Sequence, residues 1–160
     1  AAERPRHDAP LRRPPVIHEM EFRVAYADTD RMGVVYYANY LVLFERGRTE
    51  LLRGLGLRYR DFEETLKVFL PAVHAELNYL APARYDDLLK IRTWISALGR
   101  SSITFSYEVI QSENGRVITR GTTKHPFVNF QWKPVPVPPS LRGTLEKLVH
   151  RGPSSSGPIR

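Results

Sequence analysis

The sequence predicts an α+β domain in which one long helix covers one face of a curled antiparallel sheet. A segment with the apolar period of a strand precedes a single long segment with the period of a helix, over about residues 36–54. Strand-like segments then follow one another up to about residue 131, with short turn signals between them. This order is typical of a helix packed on an antiparallel sheet. The strand–helix alternation of a dinucleotide-binding fold is absent, and so are the G-x-G-x-x-G and G-x-x-x-x-G-K-[ST] motifs, which excludes phosphate binding by a glycine-rich loop as the primary activity.

The first elements follow from changes in the apolar period. Residues 20–26 alternate apolar and polar side chains, which predicts a half-buried strand. Residues 28–35 contain two aspartates and a glycine, which predicts a loop. From about Tyr36 the apolar side chains fall on one face of a helix, and Gly54 supplies a stop. Gly47 lies on that apolar face and is a candidate for close approach to the sheet.

The later elements are predicted from turn and capping signals. A short helix is expected to start at Asp61, which begins a weak capping box, and Ser140 is expected to cap a last short helix. Residues 103–109 alternate, which predicts a strand with one buried face and one wetter face. Asn114-Gly115 predicts a tight hairpin. The predicted strands after the long helix lie near residues 68–80, 88–98, 101–112 and 116–131.

The net charge of +7 is concentrated near the two ends of the chain. Residues 1–18 carry +2 and residues 142–160 carry +3, which leaves +2 for the residues between them. Both ends are rich in Pro, Gly, Ser and Arg, so residues 1–18 and 151–160 are expected to be flexible tails around a domain at 19–150. The nearly neutral body of the domain argues against nucleic acid as a partner.

The composition excludes further classes of protein and site. The chain contains no cysteine, which excludes disulfides, thiolate metal sites and cysteine nucleophiles. No apolar run approaches the roughly 18 residues of a membrane span, and no signal peptide is evident. We therefore expect a soluble cytoplasmic protein. Neither His74 nor His125 has partners at metal-ligand spacing, so no metal site is expected.

Two carboxylates, Asp28 and Asp30, lie in the loop that leads into the long helix. The start of a helix has unpaired backbone N–H groups and a partial positive charge, so it can hold an oxyanion or polarise a carbonyl. A carboxylate a few residues earlier can act on the same bound group as a base or a nucleophile. The alternative is that one of the aspartates only caps the turn or the helix.

The segment DTDRMGVVYYANY at 28–40, followed by FERGRTE at 44–50, resembles the signature of a known family. This family is the 4-hydroxybenzoyl-CoA thioesterase family of hotdog-fold acyl-CoA thioesterases, and the likeness is greatest to the bacterial branch associated with the Tol-Pal envelope system. It continues through APARYDD at 81–87 and the GRSS turn at 99–102, and it covers roughly residues 20–140. The first motif is specific, and the later ones are generic.

The resemblance implies a hotdog fold, a long helix wrapped by an antiparallel sheet. Such chains dimerise through sheet edges and usually pair again into a homotetramer, with active sites at the subunit interface. The catalytic carboxylate of the motif corresponds to Asp30, which either attacks the thioester as a nucleophile or activates water as a base. The backbone N–H of Tyr37 polarises the thioester carbonyl. Tol-Pal relatives often have His at the position of Tyr37, whereas the aromatic-substrate branch has Tyr. Either a His is needed there as a proton carrier or only the backbone N–H matters, and we favour the second interpretation.

The resemblance also indicates residues that bind the substrate. Gly33 and Tyr36 belong to the catalytic motif. His74 lies in a strand that lines the acyl pocket in this family, where it either touches substrate or satisfies a buried hydrogen bond. Arg100 and Ser101, in a predicted turn, are candidates for the coenzyme A phosphates, although a surface Arg in a turn is also commonly just solvated. No cofactor is expected, because coenzyme A is part of the substrate.

The leading hypothesis is therefore an acyl-CoA thioesterase that releases a free carboxylic acid and coenzyme A. Two alternatives stay open. One is a hotdog hydratase or dehydratase, whose D-x-N-P-x-H motif is not found here. The other is a module that binds an acyl group or coenzyme A without turnover. The acyl group itself, short, long or aromatic, is not specified by the sequence.

Overall fold

The computed structural model describes residues 16–150 of the chain. The strands are β1 (His18–Arg23), β2 (His74–Tyr79), β3 (Leu88–Leu98), β4 (Ser102–Gln111) and β5 (Val117–Pro126). The helices are α1 (Asn39–Gly54), α2 (Tyr59–Glu64) and α3 (Pro139–Glu146), and a 3₁₀ turn spans Tyr26–Asp28. The predicted tails fall outside the described residues except for residues 16–18. His18 begins β1, so it belongs to the folded part of the chain and not to a tail.

The five strands form one sheet in the order β1-β3-β4-β5-β2, and all neighbours are antiparallel. Strands β1 and β2 are therefore the two edges of the sheet. The hairpin between β4 and β5 turns at Gly115, as the sequence predicts. Gly115 has a φ of 72°, a conformation that glycine adopts without strain. Residues 80–87 carry the chain from the end of β2 to the start of β3. The predicted α+β class is confirmed.

Helix α1 packs on one face of the sheet through two glycine contacts. A Cβ at Gly47 would collide with Oγ1 of Thr93, which confirms the predicted close approach of this helix to the sheet. A Cβ at Gly121 of β5 would lie 2.5 Å from Cε2 of Phe44. The Phe44 ring stacks on Tyr107 with centroids 4.2 Å apart. Glycine on both surfaces thus lets the helix lie close enough for the rings to fill the core.

Several elements are shorter than predicted. Helix α1 begins at Asn39 and not at Tyr36, because a turn closed by the Asn39 N–H on the Tyr36 carbonyl comes first (2.9 Å). Strand β2 begins at His74, after Pro71, and β5 ends at Pro126. A proline has no N–H to donate to a ladder, so these two residues fall where regular pairing stops.

The two predicted helix caps were placed wrongly. Asp61 is the third residue of α2, and its carboxylate accepts the backbone N–H of Arg58 at 3.1 Å, so Arg58 holds the cap position. Helix α3 starts at Pro139, and Ser140 is its second residue. Proline is favoured at the first helical position because its fixed φ suits the helix and its missing N–H is not needed there.

The face of β4 that was predicted to be wetter is partly buried. Glu108 is only 4% exposed. Its Oε2 accepts a hydrogen bond from Arg120 Nε at 2.9 Å, and its Oε1 lies 3.9 Å from Arg92 Nη1. Arg92 in turn binds Glu19 at 2.9 Å. These four residues stand opposite one another on β1, β3, β4 and β5, and the arginine side chains cover the carboxylate between them.

A buried polar chain connects α1 with the segment before β2. His125 is fully buried, with Nε2 2.8 Å from Thr123 Oγ1 and Nδ1 3.2 Å from the Leu70 carbonyl. Thr123 Oγ1 lies 2.6 Å from the Tyr107 hydroxyl, which accepts a hydrogen bond from Arg48 at 3.2 Å. Burial, and then the charge of Arg48, lowers the pKa of His125 to about 4. The ring is therefore neutral at pH 7.

We expect the free energy of unfolding to fall as the pH is lowered from 7 to 4. Unfolded His125 binds a proton near its ordinary pKa of 6.5, whereas the folded ring binds one only near 4, so protonation favours the unfolded chain. The full loss from this residue is about 3 kcal/mol. The measurement is the free energy of unfolding from urea titrations at pH 7 and pH 4.5, for the wild type and for His125→Asn. The variant should lack this part of the pH dependence. Equal pH dependence in both proteins would refute the assignment.

Candidate active site

The loop that contains Asp30 is held in a tight turn. The Asp30 N–H donates to the Val34 carbonyl and the Gly33 N–H donates to the Asp30 carbonyl, both at 2.9 Å. Gly33 has a φ of 81°, a conformation that glycine adopts without strain. The Met32 N–H donates to Asp30 Oδ1 at 2.8 Å and is the one hydrogen bond to this carboxylate within residues 16–150. Asp30 thus has a fixed position and a second oxygen that remains open.

The start of α1 is anchored to Asp28, two residues before Asp30. The Asp28 carbonyl accepts both the Tyr36 N–H and the Asn39 side-chain amide, each at 2.9 Å. Asn39 therefore bridges the loop and the helix. The Tyr37 N–H, in the turn that leads into the helix, makes no hydrogen bond to any of residues 16–150. It is a free donor at the positive end of the helix.

Asp30 and Tyr37 line one cleft of about 350 Å³. The other lining residues are Met32, Val34, Val35, Tyr40, Tyr79, Leu80, Ala81 and Pro82. Most of these side chains are apolar. The Tyr79 hydroxyl donates to the Tyr37 carbonyl at 3.1 Å and thereby ties β2 to the loop. An apolar cleft with one carboxylate and one free N–H can bind a carbonyl compound, polarise it and present a base or nucleophile to it.

Gly33 and Tyr36 lie in the same loop but do not line the cleft. Gly33 acts through the backbone turn that holds Asp30. The Tyr36 and Tyr37 rings have centroids 4.7 Å apart. The neighbouring Tyr37 side chain, then partial desolvation and the charge of Asp30, raise the pKa of Tyr36 above its ordinary value. Tyr36 therefore stays protonated at neutral pH, and its ring packs against that of Tyr37.

His74, Arg100 and Ser101 lie at the opposite end of the sheet from Asp30. His74 is the first residue of β2 and Tyr79 is the last, so roughly 17 Å of strand separates His74 from the cleft. Arg100 and Ser101 form the turn between β3 and β4 at the His74 end, where the Ser101 carbonyl accepts the Phe127 N–H at 2.8 Å. One chain alone therefore does not bring these three residues to Asp30.

A second apolar cleft, of about 300 Å³, lies at the His74 end and was not anticipated from the sequence. It is lined by Phe62, Glu63, Val68, Phe69, Leu70, Pro71 and Trp132. The Phe69 ring lies 4.7 Å from Phe130 and 5.7 Å from Trp132, centroid to centroid. Trp132 is 64% exposed and has a φ of 61°, so a strained turn holds an apolar ring in the open. The aromatic residues Phe69, Phe130 and Trp132 could have been noted in the sequence. Their meeting around one cleft depends on the fold and is not visible in the sequence.

Among the described residues, no group of three or more His, Asp or Glu side chains is arranged to hold a metal ion. No helix in this part of the chain is long and apolar enough to cross a membrane.

Comparison with known proteins supports one family. Residues 32–118, more than half of the chain, match the profile described as Thioesterase superfamily. YneP of Bacillus subtilis (strain 168) is 35% identical over 120 residues, which are 74% of this chain and 86% of YneP. Acyl-CoA thioesterase YbgC of Haemophilus influenzae is 33% identical over 127 residues, which are 79% of this chain and 92% of that protein.

The fold leads to the same family. The crystal structure of a 1,4-dihydroxy-2-naphthoyl-CoA thioesterase from Synechocystis superposes on this structure with a TM-score of 0.76 at 27% sequence identity. The superposition includes 84% of this chain and 98% of the Synechocystis chain. The predicted hotdog fold is confirmed, and so is the predicted family. The chain therefore belongs to the thioesterase superfamily and is a thioester hydrolase with the hotdog fold.

Proposed function

We propose that this enzyme hydrolyses acyl-CoA to a carboxylic acid and coenzyme A, with Asp30 as the catalytic carboxylate and the Tyr37 N–H as the oxyanion donor. The observation that carries the proposal is that the two residues Asp30 and Tyr37 line one apolar cleft. The open oxygen of Asp30 and the free N–H of Tyr37 are the two reactive groups that thioester cleavage requires. Coenzyme A is part of the substrate, so the reaction needs no cofactor. A cytoplasmic location stays a prediction.

In this mechanism the thioester carbonyl oxygen accepts the Tyr37 N–H, and negative charge develops on it as the carbonyl carbon is attacked. In the first route the Asp30 carboxylate attacks, the coenzyme A thiolate leaves, and water then hydrolyses the mixed anhydride. In the second route Asp30 takes a proton from water while the water oxygen attacks; the C–S bond then breaks, and Asp30 returns the proton to the departing coenzyme A thiolate. Both routes consume one water and yield the acid and the thiol.

The experiment that tests the activity is the release of free thiol from a panel of short-chain, long-chain and aromatic acyl-CoA thioesters. We expect turnover of at least one class. The absence of turnover across all three classes would favour the alternative of a module that binds without catalysis. Formation or loss of a double bond in an enoyl-CoA, without thiol release, would favour the hydratase alternative.

The acyl-CoA site is proposed to be completed by a second copy of the chain. Strand β2 is a sheet edge, and the apolar residues at its two ends are exposed: Val73 by 63%, Tyr79 by 51% and Leu80 by 51%. An unpaired edge of this kind is a template for another strand. Two copies of β2 that pair antiparallel about a twofold axis form an isologous contact. The dimer or tetramer predicted from the sequence would form through this edge.

Such pairing would also place the predicted residue His74 of one subunit near the Asp30 cleft of the other. In an antiparallel pair the His74 end of one β2 lies beside the Tyr79 end of the other. Leu70 and Pro71, in the second cleft, lie three to four residues before β2, and Leu80 and Ala81, in the Asp30 cleft, directly follow it. The second cleft of one subunit would therefore adjoin the Asp30 cleft of its partner and receive the acyl group.

We expect Tyr37→Ala to retain activity within about tenfold of the wild type. The substitution keeps the backbone N–H and removes only the ring, which contacts Tyr79 edge to face at 6.3 Å and is not required for chemistry. Thiol release by the purified variant, with kcat and KM separated, is the measurement. A loss as large as that caused by removing the Asp30 carboxylate would show that the side chain and not the N–H carries the role.

A further inference from the structure

An exposed pair of stacked aromatic rings lies near the active site and has no role in the proposed chemistry. The rings of Tyr26 and Tyr85 are parallel within 9°, with centroids 3.9 Å apart. Tyr26 is 75% exposed and Tyr85 is 47% exposed. Within residues 16–150 neither hydroxyl makes a hydrogen bond. Tyr85 covers one face of the Tyr26 ring, and the exposure of Tyr26 leaves its other face open to a further flat group.

The pair is joined to the Asp30 cleft by short segments of chain. Tyr26 begins the 3₁₀ turn that ends at Asp28, two residues before Asp30. Arg84, the neighbour of Tyr85, bridges Val34 of the Asp30 loop. The cleft wall ends at Pro82, and the three residues from there to Tyr85 can span at most about 10 Å. The stacked rings are thus at the outer end of the same wall, on the side of β1 and away from the β2 edge.

Two arginines lie on the chain segments that adjoin the pair: Arg31 in the Asp30 loop and Arg84 next to Tyr85 in sequence. Within the described residues, neither Arg31, at the tip of the Asp30 loop, nor Arg84 has a carboxylate partner for its guanidinium. The nearby carboxylates are turned toward the backbone: Asp28 accepts the Ala25 N–H at 2.7 Å and Asp87 accepts the Arg84 N–H at 2.9 Å. The guanidinium groups are therefore available to an anionic ligand.

We propose that this surface binds the nucleotide end of coenzyme A. The adenine base stacks on the open face of Tyr26, and the phosphate groups pair with Arg31 and Arg84. This inference rests on the proposed acyl-CoA hydrolase activity, since the pantetheine arm leads from the thioester at Asp30 to the nucleotide. Aromatic rings bind bases of any kind by stacking, and arginine binds phosphate in a forked geometry. The site fixes the coenzyme A moiety and is independent of the acyl group.

The test compares an acyl-CoA with the acyl-pantetheine that carries the same acyl group but no nucleotide. For Tyr26→Ala we expect the KM for acyl-CoA to rise about tenfold or more with little change in kcat, because one stacking contact is lost. The KM for acyl-pantetheine should not change. Tyr26→Phe, which keeps the ring, should behave as the wild type. Arg84→Gln should raise the KM for acyl-CoA and weaken its dependence on salt.

The outcomes separate this inference from the proposed function. If Tyr26→Ala hydrolyses both substrates with the KM values of the wild type, the nucleotide site is overturned and the hydrolase activity stays intact. An equal rise of KM for both substrates would also overturn it, because the ring would then support the cleft itself. If the wild type hydrolyses neither substrate, the proposed function fails and the nucleotide site fails with it.

Discussion

Asp30→Asn is expected to lower kcat for acyl-CoA hydrolysis by about 10³-fold or more. The asparagine side chain is neither a carboxylate nucleophile nor a base, so both proposed routes are blocked. In the wild type the Met32 N–H donates to Asp30 Oδ1 at 2.8 Å. The asparagine amide oxygen can accept the same hydrogen bond, so the turn around residue 30 should keep its shape. Thiol release under saturating substrate is the measurement. The loss should appear in kcat and not in KM.

Asp28→Asn is the matched control for this change. It alters the same kind of residue in the same loop, but the Asp28 side chain only accepts the Ala25 N–H at 2.7 Å, which an asparagine oxygen also accepts. We expect its kcat to stay within a few-fold of the wild type. Thermal unfolding of both variants monitors the fold. An Asp30→Asn enzyme with wild-type kcat, or equal losses in the two variants, would disprove the catalytic assignment of Asp30.

Ala75→Pro in β2 is expected to abolish dimerisation and to lower kcat/KM by about 10²-fold or more. The Leu80 N–H donates to the Ile118 carbonyl of β5 at 2.8 Å, so ladder alternation turns the Ala75 N–H toward the free edge. A proline there should spare the β2–β5 ladder and block pairing with a second β2. The Asp30 cleft would then lack the wall that the partner subunit contributes. The rate of hydrolysis falls steeply when the substrate is misplaced. Light scattering and thiol release measure the two effects together.

Glu21→Pro in β1 is the matched control at the other edge of the sheet. The Val24 N–H donates to the Asp87 carbonyl at 3.0 Å, so the same alternation turns the Glu21 N–H to the outside, and the side chain is exposed. This variant should remain dimeric and active. A monomeric Ala75→Pro protein with full activity would show that one chain holds the whole site. Unimpaired dimerisation would show that the subunits meet elsewhere.

The sequence predicted those parts of the fold that depend on local pattern. Strand β3 has its predicted bounds, β4 and the turn at Gly115 lie within a residue or two of theirs, and Gly47 meets the sheet as expected. The caps of α2 and α3 were misplaced by a few residues within the local pattern, whereas one further error arises where a tertiary contact overrides that pattern. The polar face of β4 is buried because arginines from two neighbouring strands cover Glu108, and sequence alternation alone does not contain that information.

The sequence predicted those residues of the candidate site that lie close together along the chain. Asp30 and Tyr37 are seven residues apart, and their place before one helix is enough to bring them to one cleft. His74 and Arg100 were predicted for the same site, but the sheet order puts them at its other end. A single sequence does not show whether such residues meet within one chain or across two. The Tyr26–Tyr85 stack likewise joins residues far apart in the chain.

In the proposed mechanism Asp30 and the Tyr37 N–H act on the same thioester carbonyl. The most direct test is a crystal structure with an acyl-CoA analogue in which a methylene group replaces the thioester sulfur. We expect the carbonyl oxygen about 3 Å from the Tyr37 nitrogen. An Asp30 oxygen should lie about 3.5 Å from the carbonyl carbon or be joined to it by one water. A carbonyl bound outside hydrogen-bonding reach of the Tyr37 nitrogen, or away from Asp30, would contradict the account.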